Sequence, residues 1–280
     1  MTKSRAFAQV DVFSSTPYLG NPVAVILDGD GLSEEEMLRV AKWTNLSETT
    51  FLLTPTDSDA DYRVRIFTPG GELPFAGHPT LGSAHAWVEN GGVPQRPDVI
   101  VQECQAGLVS LRRDEGALSF QAPPTVRSGP IEAGYLADIT TSFSLSVDDV
   151  VAHQWVDNGP GWCVIQLATA EEVLKLEPDL SSLPDAMVGV IGAYPASSAD
   201  TFEVRAFAPR IGVPEDPVCG SINASIGQWL IGEGLFTSGY QVSQGQRLGR
   251  AGTIRIMPDE DGRVWVGGRT MTLFRGTAVI

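Results

Sequence analysis

Short apolar runs, separated by turns rich in Gly, Pro and Asn, set the pattern of the chain, and few of them are long enough to be helices. Residues 7–13 alternate as a strand does, 14–22 form a loop of turn residues, and 23–27 are an unbroken apolar run that reads as a buried strand. Ser33 and Glu36 then have capping-box spacing, with Leu32 and Met37 placed as a hydrophobic staple, so a helix is predicted to run to Trp43 or Thr44. A polar turn at 45–48 feeds a β-branched and aromatic run to Leu53, and 62–67 form the next strand. Further strands are predicted at 99–103, 108–111 and 118–120, the last two joined as a hairpin across 112–116. After a poorly patterned stretch, Ser146 and Asp149 cap a helix, 162–167 form a strand, 170–174 a short helix and 187–194 a strand. Strands at 202–207, 253–257, 264–268 and 271–274 complete the reading, with a Gly-rich loop at 244–250.

Two stretches stand apart because they resemble each other. One begins His78-Pro79 and the other Asp216-Pro217, and each continues into small residues, as a helix start with free N–H groups would. Such ends favour an anion, for example a carboxylate. The likeness extends upstream. Residues 61–69 pair with 201–209 at an offset of 140, sharing Val, Arg, Phe and Pro, and the two helix starts pair at an offset of 138. A tandem duplication follows, with one strand–loop–helix unit per half. Pro123-Pro124 marks the boundary between halves 1–124 and 125–280, the last strand being able to pack on the first half. The place of the Glu48 turn is taken in the second copy by Asn158-Gly159-Pro160-Gly161, which has no carboxylate. Acid–base chemistry there belongs to one half only.

Composition narrows the field. With 280 residues, 42% apolar and 19% charged, the chain suits a globular protein of two ordinary domains. A formal net charge of −15 argues against nucleic-acid or anionic-membrane partners. Cys104, Cys163 and Cys219 lack both disulfide density and metal-type spacing, which points to a reduced, cytoplasmic setting. Three histidines leave no His-based metal site to expect, and no run approaches the roughly 18 apolar residues of a membrane span.

Taken in order, the segments Asp11-Val12-Phe13 with Gly20-Asn21-Pro22, Asn45 to Glu48, Phe67-Thr68-Pro69, Gly77 to Leu81, Asn158-Gly159-Pro160, Glu215 to Ser221, and Gln244-Gly245 with Gly249-Arg250 make the chain similar to the PhzF-like proteins, within the diaminopimelate epimerase-like fold. That resemblance implies an α+β fold of two pseudo-symmetric α/β halves, each a curved sheet around a central helix, with the active site in the cleft between them. It also implies a homodimer and no cofactor, and no metal site is expected among the candidate residues. For the namesake the implied reaction is isomerisation of trans-2,3-dihydro-3-hydroxyanthranilate, one glutamate moving a proton between ring carbons.

Glu48 matches the family's catalytic glutamate, and a carboxyl sheltered from water can serve as such a base. His78 and Asp216 match residues that hydrogen-bond or polarise the substrate; simple helix capping is the structural alternative for both. Gly77 and Ser221 match anchoring residues, with Gly220 and Cys219 beside them in the substrate-binding set. His85, two turns beyond His78, reads as a buried structural histidine, Ser83 and Asn223 as packing residues, and Gln244-Gly245 as either a plain turn or a flap over the cleft. Racemases and epimerases of the same fold use two cysteines. Here Cys219 holds the second place and Ala76 the first, so a two-base racemase is disfavoured. The expected function is a cofactor-independent isomerase acting on a small cyclic or unsaturated amino acid or carboxylate. The alternatives are an amino-acid racemase or epimerase, and a metabolite-binding protein without turnover.

Overall fold

The computed structural model describes residues 2–114 and 116–280, and divides the chain into one unit of residues 1–121 with 267–280 and another of residues 122–266. The first unit opens with β1 (Ser4–Val12), β2 (Asn21–Ile26), α1 (Glu34–Thr44), β3 (Glu48–Leu53), β4 (Tyr62–Thr68) and β5 (Gly71–Leu73). It continues through α2 (Gly77–Glu89), β6 (Val99–Cys104), β7 (Gly107–Asp114) and β8 (Ala117–Gln121). The second unit holds β9 (Arg127–Gly129), α3 (Ala133–Ser142), β10 (Ala152–Asp157), β11 (Cys163–Thr169), α4 (Ala170–Lys175), β12 (Val188–Ala193), β13 (Phe202–Ala208) and β14 (Val213–Asp216). After α5 (Gly220–Gly232), β15 (Tyr240–Gln244), β16 (Gly252–Pro258) and β17 (Val264–Gly268), the chain returns to the first unit with β18 (Thr270–Val279).

Both units use one pairing scheme. In the first, β1 and β2 are antiparallel, β2 and β3 parallel, β3 and β4 antiparallel, and β4 is flanked by antiparallel β5 and parallel β6. The second repeats this with β10, β11, β12, β13, β14 and β15. Register makes the correspondence residue by residue. Val23 faces Glu48 where Cys163 faces Val188, an offset of 140 in both strands. The counterpart of Glu48 is therefore Val188, not the Asn158–Gly161 loop expected from sequence. The conclusion that only one half carries a carboxylate there is unchanged.

Alternation along the strands explains how each sheet is sandwiched. On β3, Phe51 packs outward with Met37 and Ala41 of α1, whereas Thr50 points inward and takes a hydrogen bond from Ser83 of α2 at 2.9 Å. Glu48 shares the inward face with Thr50 by the period of two. The helix α2 touches β1, β2, β3, β6, β8 and β18, so the sheet curls around it. Gly82 allows that approach: a Cβ there would lie 2.3 Å from a Val23 methyl. In the second unit α3 and α4 cover the outer face through Leu136, Ile139, Phe143 and Val173.

Several elements differ from the sequence reading. The Ser33 capping box holds, and Asn45 closes α1 at φ 55°. The hairpin of β7 and β8 is present, with its residue Glu115 lying outside the described residues. By contrast, α3 was hidden because Gly134 and the β-branched run Ile139-Thr140-Thr141 are weak helix formers, and it exists by burying Leu136 and Ile139. The Ser146 cap opens only one 3₁₀ turn, Val147–Asp149, because Val150 and Val151 lead straight towards β10, a strand not foreseen. The two central helices begin at Gly77 and Gly220, an offset of 143 rather than 138. Among the described residues no helix is long and apolar enough to cross a membrane.

One strand of the second unit carries a buried carboxyl group. Glu203 of β13 is fully buried; its Oε2 accepts from Tyr194 Oη at 2.9 Å and from Gln246 Nε2 at 3.2 Å. Burial pushes its pKa up to about 7, against hydrogen bonds from Ser243, Tyr194 and Gln246 that pull it down. Since the unfolded group titrates near 4.5, this contribution is fully present below that pH and is lost as pH rises through 7. Urea unfolding of Glu203→Gln should therefore show the variant gaining on the parent by roughly 1–3 kcal/mol between pH 5 and pH 8. A difference independent of pH contradicts this.

Candidate active site

The first cluster is built at the head of α2. Glu48 opens β3 and faces inward, and both it and His78, the second residue of α2, are nearly inaccessible at 5% and 3% exposure. Glu48 Oε2 lies 3.2 Å from His78 Nε2. On the other side of the ring, Asn21 Nδ2 lies 3.2 Å from Nδ1. Burial lowers the pKa of His78 from 6.5 to about 3, opposed only in part by the Pro22 carbonyl, so the imidazole is neutral at physiological pH.

The loop that supplies Asn21 and Pro22 is itself anchored. Buried Asp11 accepts the Gly20 N–H at 3.1 Å, and any side chain at Gly20 would collide with the Val12 carbonyl at 2.2 Å. Gly77 precedes His78 as the buried first residue of α2, and the N-cap Ala76 makes no side-chain cap. His78 does not cap the helix either, because it lies inside the first turn. Its neighbour in sequence, His85, is turned away: its Nδ1 contacts Thr270 Oγ1 at 2.8 Å and its Nε2 lies 3.5 Å from Glu89.

The second cluster is at the head of α5. Asp216 ends β14, four residues before the helix, so it is not the cap expected from sequence. The N-cap is Cys219, without a side-chain cap, followed by buried Gly220 and then Ser221. Asp216 Oδ1 accepts the Val218 N–H at 3.1 Å. Burial, reinforced by the Asp216 carboxylate, raises the Cys219 thiol well above its ordinary range, so it stays protonated and is no base. Ser221 Oγ accepts from Trp162 Nε1 at 3.0 Å, and Asn158 Nδ2 donates to the Ser221 carbonyl at 3.2 Å.

Counting from the helix starts, Ser221 holds the place of His78, and Cys219 that of Ala76. The structure thus joins Glu48 with His78 in the first unit, and Asp216 with Cys219, Gly220 and Ser221 in the second. Asn21 and Trp162 were not picked out from sequence. Asn21 stood within the Gly20-Asn21-Pro22 segment, but nothing in its type or spacing pointed at a histidine 57 residues away. Among the described residues no group of three or more His, Cys, Asp or Glu is placed to hold a metal ion.

Residues 10–276 match the family described as phenazine biosynthesis-like protein, PhzC-PhzF. The chain is 41% identical over 297 aligned positions to antisense-enhancing sequence 1 of Schizosaccharomyces pombe, covering 98% of this chain and 99% of that one. It is 33% identical over 281 positions to trans-2,3-dihydro-3-hydroxyanthranilate isomerase of Pseudomonas chlororaphis, covering 97% and 98%. In fold it is similar to a PhzF-family phenazine biosynthesis protein of Bacillus anthracis, with a TM-score of 0.84 at 24% identity over 99% of this chain and 100% of that one. The α+β architecture is that of the diaminopimelate epimerase-like fold.

The neutral imidazole has a thermodynamic signature. Unfolded His78 binds a proton near pH 6.5 and the folded ring only near 3, so stability present above 6.5 is lost as pH falls towards 3. Urea titrations of the parent and His78→Gln should diverge by up to about 1.4 kcal/mol per pH unit between pH 6 and 4, the parent losing more. Parallel curves would mean that the folded ring takes up its proton as readily as the unfolded one.

Proposed function

The chain belongs to the phenazine biosynthesis-like (PhzC-PhzF) family and is an isomerase, and we propose that it moves a carbon-bound proton within a small cyclic or unsaturated amino acid or carboxylate, without a cofactor. The observation that carries this reading is the buried Glu48 carboxylate set 3.2 Å from an imidazole that burial keeps neutral. Glu48 takes a proton from one carbon of the substrate while the electrons of that C–H bond move into the adjoining unsaturated system. Its conjugate acid then delivers the proton to a second carbon, so no electrons or atoms are gained or lost overall. His78, carrying a hydrogen but no charge, orients Glu48 and polarises the substrate without trapping the carboxylate in a strong ion pair. Asp216 is assigned the second polarising role, and Gly77, Gly220 and Ser221, at helix starts without side-chain caps, are assigned to the substrate carboxylate.

The name of the Pseudomonas chlororaphis relative makes trans-2,3-dihydro-3-hydroxyanthranilate the first compound to try. A two-thiol racemase is the weaker reading, since only one of the two N-cap positions carries a thiol, and that thiol is held protonated. Incubated with the compound in deuterated water and followed by NMR, the parent should place deuterium on carbon. Glu48→Gln should slow this by about 10²- to 10⁴-fold and Cys219→Ser by no more than a few-fold. Exchange that survives Glu48→Gln refutes the role of Glu48, and exchange lost in Cys219→Ser favours the thiol.

A further inference from the structure

Gln244 lies at the end of β15, and it is neither a flap nor a plain turn. Its side chain is 1% exposed and every arm is engaged. Nε2 donates to the Asp216 carbonyl at 3.0 Å, while Oε1 accepts the Cys219 N–H at 3.1 Å and Asn223 Nδ2 at 2.9 Å. Asn223 Nδ2 also donates to the Cys219 carbonyl at 2.8 Å. Two carboxamides therefore grip both ends of the turn Asp216-Pro217-Val218-Cys219 from behind. The strands behind them are pressed against the same turn. Gly245 has φ +100°, and a Cβ there would meet the Pro217 carbonyl at 2.5 Å; a Cβ at Gly252 would meet Val218 at the same distance.

Two further observations argue against mere packing. Asn223 is fully buried, yet its Oδ1 has no hydrogen-bond partner, a cost that an apolar residue of similar volume would avoid. In the first unit, the β4–β6 register places Cys104 where Gln244 stands, and the Cys104 thiol donates instead to the nearby Gly107 carbonyl. There the segment before α2 is Pro74-Phe75-Ala76, with no side-chain carboxylate to aim. The bracket occurs in the unit whose turn carries one.

We propose that Gln244, supported by Asn223, is the positioning residue of Asp216, holding the turn so that the carboxylate is presented in one orientation at the head of α5. This rests on the reading of Asp216 as a group that acts on the substrate, and its test has one arm that needs no turnover. The variants are Gln244→Ala, Gln244→Glu and the volume-keeping Gln244→Met, which stands in should the alanine form not fold. The first arm follows the ¹³Cγ signal of Asp216 against pH in protein labelled at aspartate. Both neutral variants should move the Asp216 titration midpoint by at least about half a pH unit while the protein remains folded.

The second arm measures deuterium exchange on trans-2,3-dihydro-3-hydroxyanthranilate. The neutral variants should lose about 10- to 100-fold in kcat with KM changed by less than about threefold. Gln244→Glu should recover as pH falls, because its protonated carboxyl can again donate to the Asp216 carbonyl. An unmoved Asp216 titration, or parental kcat in the neutral variants, overturns the proposal. Absence of exchange in the parent counts against the substrate reading alone, and the NMR arm then decides the bracket.

Discussion

The contact on which the first unit depends is between a buried carboxylate and a buried imidazole that cannot afford to be charged. Two full charges in so dry a place would each carry a desolvation penalty of several kcal/mol, repaid only by near-ideal geometry. The fold avoids this by keeping His78 neutral, with a pKa near 3, and by giving its ring polar neighbours in Asn21 and the Pro22 carbonyl. Those neighbours stay in place because Asp11 binds Gly20, where no side chain fits. A run of local constraints from β1 to the head of α2 thus sets one 3.2 Å distance. A carboxylate beside a neutral ring is spared the cost of a buried ion pair.

The two units show how a duplicated scaffold distributes chemistry. Equal register fixes which residues correspond, and the functional types differ at those places: Glu48 against Val188, His78 against Ser221, Ala76 against Cys219, Cys104 against Gln244. The scaffold underneath is the same, down to parallel pairs at an offset of 140 and uncapped central helices. One unit therefore carries a buried carboxyl group beside a neutral imidazole. The other carries Asp216 on a turn whose backbone is bonded by two carboxamides, together with a hydroxyl and a protonated thiol at a helix start.

Much of this was legible in the chain before any coordinates. The turn at 45–48 feeding a strand to Leu53 was readable, and the capping box placed α1 to within a residue. The duplication was readable from Val, Arg, Phe and Pro recurring between 61–69 and 201–209. The helix starts were misplaced because Pro79 and Pro217 were both taken as first-turn residues. Only Pro79 lies in the first turn, whereas Pro217 sits in a turn set by Gln244, a residue far along the chain. The helix α3 and strand β10 depend on burial against partners that local sequence does not display. The Asn21–His78 contact was invisible for the same reason: short sequence motifs name residues, while long-range packing decides which of them meet.

The central claim is the charge state of one ring. Nitrogen-15 NMR of the histidine side chains, assigned through His78→Gln, reports it directly. A neutral His78 ring is expected, unchanged from pH 8 down to about pH 4. An imidazolium at pH 7, or a ring that titrates near 6.5, would contradict it.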